Sequence, residues 1–176
     1  KHNFEALLGY EQYKMKYQFL SGSNDHLYDP FIGELNNAGG SDQTITKSYV
    51  NNYMSEGVFA RVQYDYDGKY FGSVSFRHDG SSRFSKDNRW GNFGSIGGAW
   101  LISKENFMSD IKWVNSLKYK ISWGKQGNDD VLDPTTGDSE YYAYLDQFTP
   151  KYSNGNYSLV MYYKGNKDLT WETSYS

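Results

Sequence analysis

Cysteine is absent from the chain, so neither a disulfide framework nor a cysteine-containing zinc site exists in it, and redox chemistry says nothing about its compartment. Long apolar runs are missing as well: no stretch reaches the ~18 consecutive apolar residues of a spanning helix. That excludes a helical membrane protein and leaves barrels open, because membrane strands carry a far weaker hydropathy signal. Lys1 does not open a signal peptide. No run of Lys or Arg is dense enough to neutralise successive phosphates and the formal charge is -3, which sets nucleic acid aside as a partner.

What the chain has in excess is rings: 18 Tyr, 10 Phe and 5 Trp, with 18 Gly beside them. Aromatic bulk near the backbone packs well on a pleated surface, and glycine supplies turns and close approaches, so the composition predicts an all-β protein. Alternation gives the strands. Val58, Ala60, Val62, Tyr64 and Tyr66 share one parity, while Phe59, Arg61, Gln63 and Asp65 share the other. Asp67-Gly68 follows as a two-residue type I′ turn, and the return strand sets Tyr70, Val74 and Phe76 against Ser73, Ser75 and Arg77. Leu117, Tyr119, Ile121 and Trp123 alternate with Lys118, Lys120, Ser122 and Gly124; Asn92 to Ile102 forms a glycine-rich strand between. An early strand from about Phe4 to Phe19 changes parity near Gly9 to Gln12, where a bulge would keep its apolar face consistent, and Leu169 to Ser176 reads as a short last strand.

Connections alternate in length. Asp67-Gly68 is tight, Ser103 to Asn115 is moderate with a helical turn around Glu105 to Met108, and segments 20–49, 78–91 and 126–168 are long and polar. The last of these contains its own hairpin, using Tyr141 to Phe148 and Tyr157 to Tyr163. Short turns on one side and long loops on the other are the habit of a membrane barrel. A soluble carbohydrate-binding β-sandwich alternates for the same steric reason but turns its apolar faces inward. Rings near the strand ends, Tyr64, Tyr66, Tyr70, Phe71, Trp100 and Trp123, favour the membrane, because amphipathic rings settle at headgroup level.

Three histidines, His2, His26 and His78, lie far apart with no ligand spacing, so they indicate no metal site. Asp129, Asp130 and Asp133, with Asp138, crowd one loop and form a weak calcium candidate without EF-hand spacing; solvated turn residues explain them as well. No catalytic constellation stands out and no cofactor is implied. A barrel lipase would have to use His78 with Ser81 or Ser82.

Several blocks in succession carry a resemblance. Tyr64-Asp65-Tyr66-Asp67-Gly68-Lys69-Tyr70-Phe71 is followed by Arg77-His78-Asp79-Gly80-Ser81-Ser82-Arg83-Phe84 and Asn88-Arg89-Trp90-Gly91-Asn92-Phe93. Ala99-Trp100-Leu101-Ile102-Ser103-Lys104-Glu105-Asn106-Phe107-Met108, Ser122-Trp123-Gly124-Lys125-Gln126-Gly127-Asn128 and Gly165-Asn166-Lys167-Asp168-Leu169-Thr170-Trp171-Glu172 come next. In that order they resemble the SusC/RagA family of TonB-dependent outer-membrane receptors. Departures are small: His78 stands where a second basic or polar residue is usual, and Gly94 and Lys167 stand where proline is frequent.

The resemblance implies an antiparallel transmembrane β-barrel of about 22 strands with a plugged lumen, long extracellular loops and short periplasmic turns, of which residues 1–176 supply about six strands. It implies TonB-dependent import of a glycan or a peptide across the outer membrane, with a SusD-like surface lipoprotein as lid and TonB engaging a part outside this chain. Under that reading Arg61, Arg77, Lys118 and Lys120 face the lumen. Arg83 and Trp90 either meet a ligand at the mouth or, for Arg83, pair internally while Ser81, Ser82 and Asp79 satisfy loop amides.

Overall fold

The computed structural model describes residues 1–23, 27–37, 45–134 and 136–176. His26 lies outside them. The described residues are strands, turns and short 3-10 turns: β1 (His2–Ser23), β2 (Ile45–Tyr66), β3 (Tyr70–Ser81), β4 (Trp90–Leu101), β5 (Lys118–Asn128), β6 (Gln147–Ser153), β7 (Asn156–Tyr163) and β8 (Glu172–Tyr175). Six of them form one sheet in the order β1-β2-β3-β4-β5-β8, and β6 and β7 form a separate hairpin. Backbone contacts divide the chain into two units, residues 1–13 with 54–176, and residues 14–53.

The larger unit is built around antiparallel registers that follow the alternation. Val62 pairs with Val74, Val74 with Ile96, and Ile96 with Trp123, so one face carries the apolar residues of four successive strands. On the other face Arg61 pairs with Ser75 and Ser75 with Ser95, whose hydroxyls hydrogen-bond at 2.7 Å. Asp67 and Gly68 have φ of 56° and 62°, the two positive angles a type I′ turn needs. The turn is reinforced where Gly68 N donates to Asp65 Oδ1 at 2.7 Å.

The apolar face is uncovered. Val74, Ile96 and Ile121 are 52%, 56% and 64% exposed, whereas the buried apolar side chains are Phe84, Phe93 and Ala143, all off that face. No second sheet sandwiches Val62, Val74 and Ile121 among the described residues, which removes the physical basis of the soluble sandwich.

Rings border this face at both ends. Tyr66, Tyr70 and Trp100 form a row, with centroids 6.2 Å apart at each step, and Tyr119 lies opposite Trp100. At the other end Trp90 stacks on His78 at 4.7 Å, whereas Trp123, anticipated as a border ring, lies opposite Ile96 within the face and stacks on Tyr175 at 6.0 Å. Trp100 and Trp90 are ten residues apart on β4, about 33 Å along a strand, which a tilt of ~40° reduces to about 25 Å between the rows. Phe71, also anticipated as a border ring, lies on the polar face beneath Lys118, whose Nζ is 4.0 Å from the ring centroid.

Three expectations about connections need correction. The strands outlast their alternation: β1 and β2 take residues 20–23 and 45–49 from the expected long connection, β3 runs on to Ser81, and β5 to Asn128. The ends of β3 and β5, His78-Asp79-Gly80-Ser81 and Lys125-Gln126-Gly127-Asn128, carry no apolar side chain on either parity and so give no periodic signal. The first arm of the hairpin is Gln147–Ser153, not Tyr141 to Phe148, because the residues before it fold into a base in which Ala143 is buried. The turn between the arms is Asn154-Gly155, with φ of 52° and 78°. The anticipated helical turn is present as 3-10 turns at Ile102–Lys104 and Asn106–Met108.

In the smaller unit, Phe19 stacks on Tyr49 at 4.9 Å, and the connection closes where Tyr28 N donates to Asn37 O at 2.8 Å. Asn37 Nδ2 donates in turn to Asp29 O at 2.6 Å and Ile32 O at 2.8 Å.

Candidate functional site

Arg61, Arg77, Lys118 and Lys120 share the polar face through the strand registers. Lys118 and Lys120 line a groove of about 790 Å³ with Glu5, Gln63, Asp65 and Ser73. Farther along the same face Arg77 borders a second groove of about 580 Å³ with Asp79, Phe93, Lys125 and Trp171. Arg77 is engaged: its Nε and Nη2 donate to Asp79 at 3.0 and 3.1 Å, Nη2 also reaches Glu11 at 3.4 Å, and the guanidinium lies 5.2 Å from the Phe59 ring. The face carries charge of both signs, able to hold a polar ligand or a polar segment of protein.

Phe93 shows why glycine is required on this face. A Cβ at Gly127 would stand 2.1 Å from the Phe93 ring and one at Gly91 2.4 Å, so the ring lies flat over two bare backbones, with Trp171 edge-on at 5.1 Å. An aromatic ring covering strand glycines restores the contact that their missing side chains leave open.

The structure places Arg83 and Trp90 apart. Trp90 is on the apolar face, opposite Gly80 and stacked on His78. Arg83 is buried, its Nη1 donating to Asp130 Oδ1 and, at 3.3 Å, to Asp129 O, with the guanidinium 4.9 Å from the Tyr141 ring. Ser81 Oγ donates to Asp129 Oδ2 at 2.6 Å and accepts from Arg83 N at 3.2 Å; Ser82 Oγ accepts from Met54 N at 2.9 Å. This is the internally paired arrangement of the two that the residues allow. The hydroxyls do not meet His78, which is bonded to Asn92 at 2.7 Å.

Asp129 and Asp130 face Ser81 and Arg83, while Asp133 accepts from Thr136 N at 3.0 Å. Among the described residues no three acidic, histidine or cysteine side chains converge as a cation set. Burial pushes the Asp130 carboxyl up, but hydrogen bonds from Ser139 and Arg83 outweigh it and hold the group below its ordinary value.

Glu105, read from the sequence only as part of a helical turn, is a further polar centre. Its carboxylate accepts from Tyr70 OH at 2.7 Å, Trp100 Nε1 at 3.0 Å and Lys69 Nζ at 3.1 Å, and these donors lower it to about 2. It fastens the β2–β3 turn and one aromatic row to the connection after β4. Trp100 and Glu105, five residues apart across a 3-10 turn, were the signal available.

No family model matches the chain. It is 32% identical over 98% of its length to TonB-dependent receptor P39 of Formosa agariphila, and 30% identical over 97% to TonB-dependent receptor SusC of Bacteroides thetaiotaomicron. It spans 16% and 17% of those relatives. Among solved structures, the RagAB peptide transporter superposes with a TM-score of 0.84 at 26% identity, over 98% of this chain and 18% of that one. The RagAB peptide importer in its open-open state gives 0.83 at 26% identity, over 99% and 18%. Running the length of the chain in both sequence and structure, these likenesses identify it as a stretch of the β-barrel of a SusC/RagA-type TonB-dependent receptor.

Proposed function

We propose that the chain forms barrel wall and surface connections of an outer-membrane importer that takes up a glycan or a peptide, coupled to TonB and lidded by a SusD-like lipoprotein. The observation that carries this reading is the uncovered apolar face between two rows of rings about 25 Å apart, which matches the hydrocarbon band of a barrel. Facing acyl chains, Val62, Val74, Ile96 and Ile121 replace lipid contacts with lipid contacts; facing water, they would lose the free energy of apolar burial. The charged face then lines the lumen, where Arg61, Arg77, Lys118 and Lys120 contact plug or passing ligand. Arg83 acts as an internal tie and Trp90 as a border ring.

Nothing in this arrangement calls for a covalent reaction by these residues: in such an importer the work comes from the inner-membrane proton gradient through TonB. The solved relatives are described as peptide importers, and the family resemblance of the sequence implies a glycan or a peptide, so both classes enter the test. Cells carrying the full-length receptor should accumulate either radiolabelled casein peptides or radiolabelled malto-oligosaccharides, and lose that uptake when TonB or the neighbouring lipoprotein is deleted. Uptake that survives loss of TonB contradicts the proposal.

A further inference from the structure

The block Ser81-Ser82-Arg83-Phe84-Ser85 and the block Lys167-Asp168-Leu169-Thr170-Trp171 lie far apart in sequence and meet in space. The β3–β4 connection grips both ends of the segment that joins β5 to β8. At the first end Ser81 and Arg83 hold Asp129 and Asp130, Ser139 Oγ adds a bond to Asp130 at 2.8 Å, and Arg83 lies over Tyr141. At the second end Ser85 Oγ and Asn88 Nδ2 both donate to Lys167 O, at 2.8 and 2.9 Å, and Trp171 Nε1 donates to Arg89 O at 2.8 Å. Phe84 sits between the two ends, 1% exposed, with its ring 5.7 Å from that of Trp171.

Above this clasp the two ends stay zipped together. Asn166 N donates to Ala143 O at 2.9 Å, and Gly165 N to Asp146 Oδ1 at 2.8 Å; Gly165 also lies so close to Leu145 that a Cβ would meet its backbone at 2.4 Å. Beyond the zipped base the hairpin changes character: every residue of β7, and all of β6 except half-buried Gln147, is exposed. A two-stranded hairpin is marginal in water by itself. Its order must come from the base.

We propose that Ser81, Arg83 and Trp171 are positioning residues for ligand capture, clasping the surface connection so that the β6–β7 hairpin is held out as a preordered arm on the end of strand β3. The inference rests on the importer reading for its ligand and on the clasp geometry for its mechanism. Ordering the arm in advance removes an entropic cost from binding, so the clasp acts on capture and leaves the transport step alone.

The test uses the full-length receptor with Arg83→Ala, Arg83→Lys and Trp171→Phe, the last deleting one hydrogen bond while keeping the ring against Phe84 and Phe93. Heat-modifiable migration first verifies that the barrel is folded. Arg83→Ala should speed amide exchange across residues 140–163 about tenfold and raise the apparent KM for the peptide or oligosaccharide probe about fivefold with Vmax unchanged. Trp171→Phe should move both in the same direction by less, and Arg83→Lys, which retains the charge opposite Asp130, should bring KM back to within about twofold of the wild type. Unchanged exchange in Arg83→Ala and Trp171→Phe overturns the clasp. Faster exchange with unchanged KM, or a fall in Vmax alone, overturns its role in capture. Absence of uptake of either probe by the wild type rejects the importer reading instead, while exchange still decides the clasp.

Discussion

The barrel wall and the clasped surface connection are stabilised in opposite ways. In the wall, Val74, Ile96 and Ile121 remain exposed and order comes from ladder hydrogen bonds between neighbouring strands. In the clasp, Ser81, Arg83 and Ser85 are buried and each bonds to a partner distant in sequence. The wall therefore depends on its solvent being lipid, and the clasp on hydrogen bonds between residues far apart in sequence. A substitution that is mild in one region is severe in the other.

The largest effect should separate the two faces of the wall. Ile96→Arg, near the middle of the apolar band, should destabilise the full-length receptor in lipid vesicles by about 2–4 kcal/mol, while Ser95→Arg beside it should change stability by less than about 1 kcal/mol. Urea unfolding in vesicles reads both, and equal costs would erase the distinction between the faces. Next comes the glycine seat: Gly127→Leu puts a side chain where the Phe93 ring lies and should cost about 1–3 kcal/mol in the same assay. Gly72→Ala, where a Cβ meets nothing within 4 Å, is the control.

A smaller effect sharpens the comparison through pH. Glu105 is lowered from 4.5 to about 2, so its contribution is fully present above the unfolded value and is lost as pH falls from 4.5 towards 2. Tryptophan fluorescence of the connection after β4 should follow that acid limb, and Glu105→Gln should flatten it. The smallest effect is confined to the arm. Gly155→Ala, at φ of 78°, should cost the hairpin about 1 kcal/mol, seen as faster amide exchange in β6 and β7 with no change in the wall.

The same contrast decides what could be read from the sequence. The wall was legible because its physics is local: one face of Val58 to Tyr66 meets one environment, so side chains repeat every two residues and Asp67-Gly68 fixes the register. Where β3 continues through Asp79, Gly80 and Ser81 the pattern fades, and the strand end was lost with it. Asn154-Gly155 was a local signal that locates the hairpin turn; tyrosines at 141, 142 and 144 drew the first arm too early because a ring in a buried base and a ring on a strand look alike in sequence. The clasp had no local signal at all. Ser81 meets Asp129 across 48 residues and Ser85 meets Lys167 across 82, and no periodicity encodes such a pairing. That Arg83 pairs inward was foreseeable from its residue type, but its partner was not.

The central claim is that the two faces of this sheet meet lipid and water. Nitroxide labels placed one at a time at residues 93 to 99 of the full-length receptor in lipid vesicles test it most directly, by collision with dissolved oxygen and with a water-soluble nickel chelate. Positions 94, 96 and 98 should collide with oxygen and be shielded from nickel, and positions 95, 97 and 99 should do the reverse. Uniform access to nickel along the whole strand would contradict the account.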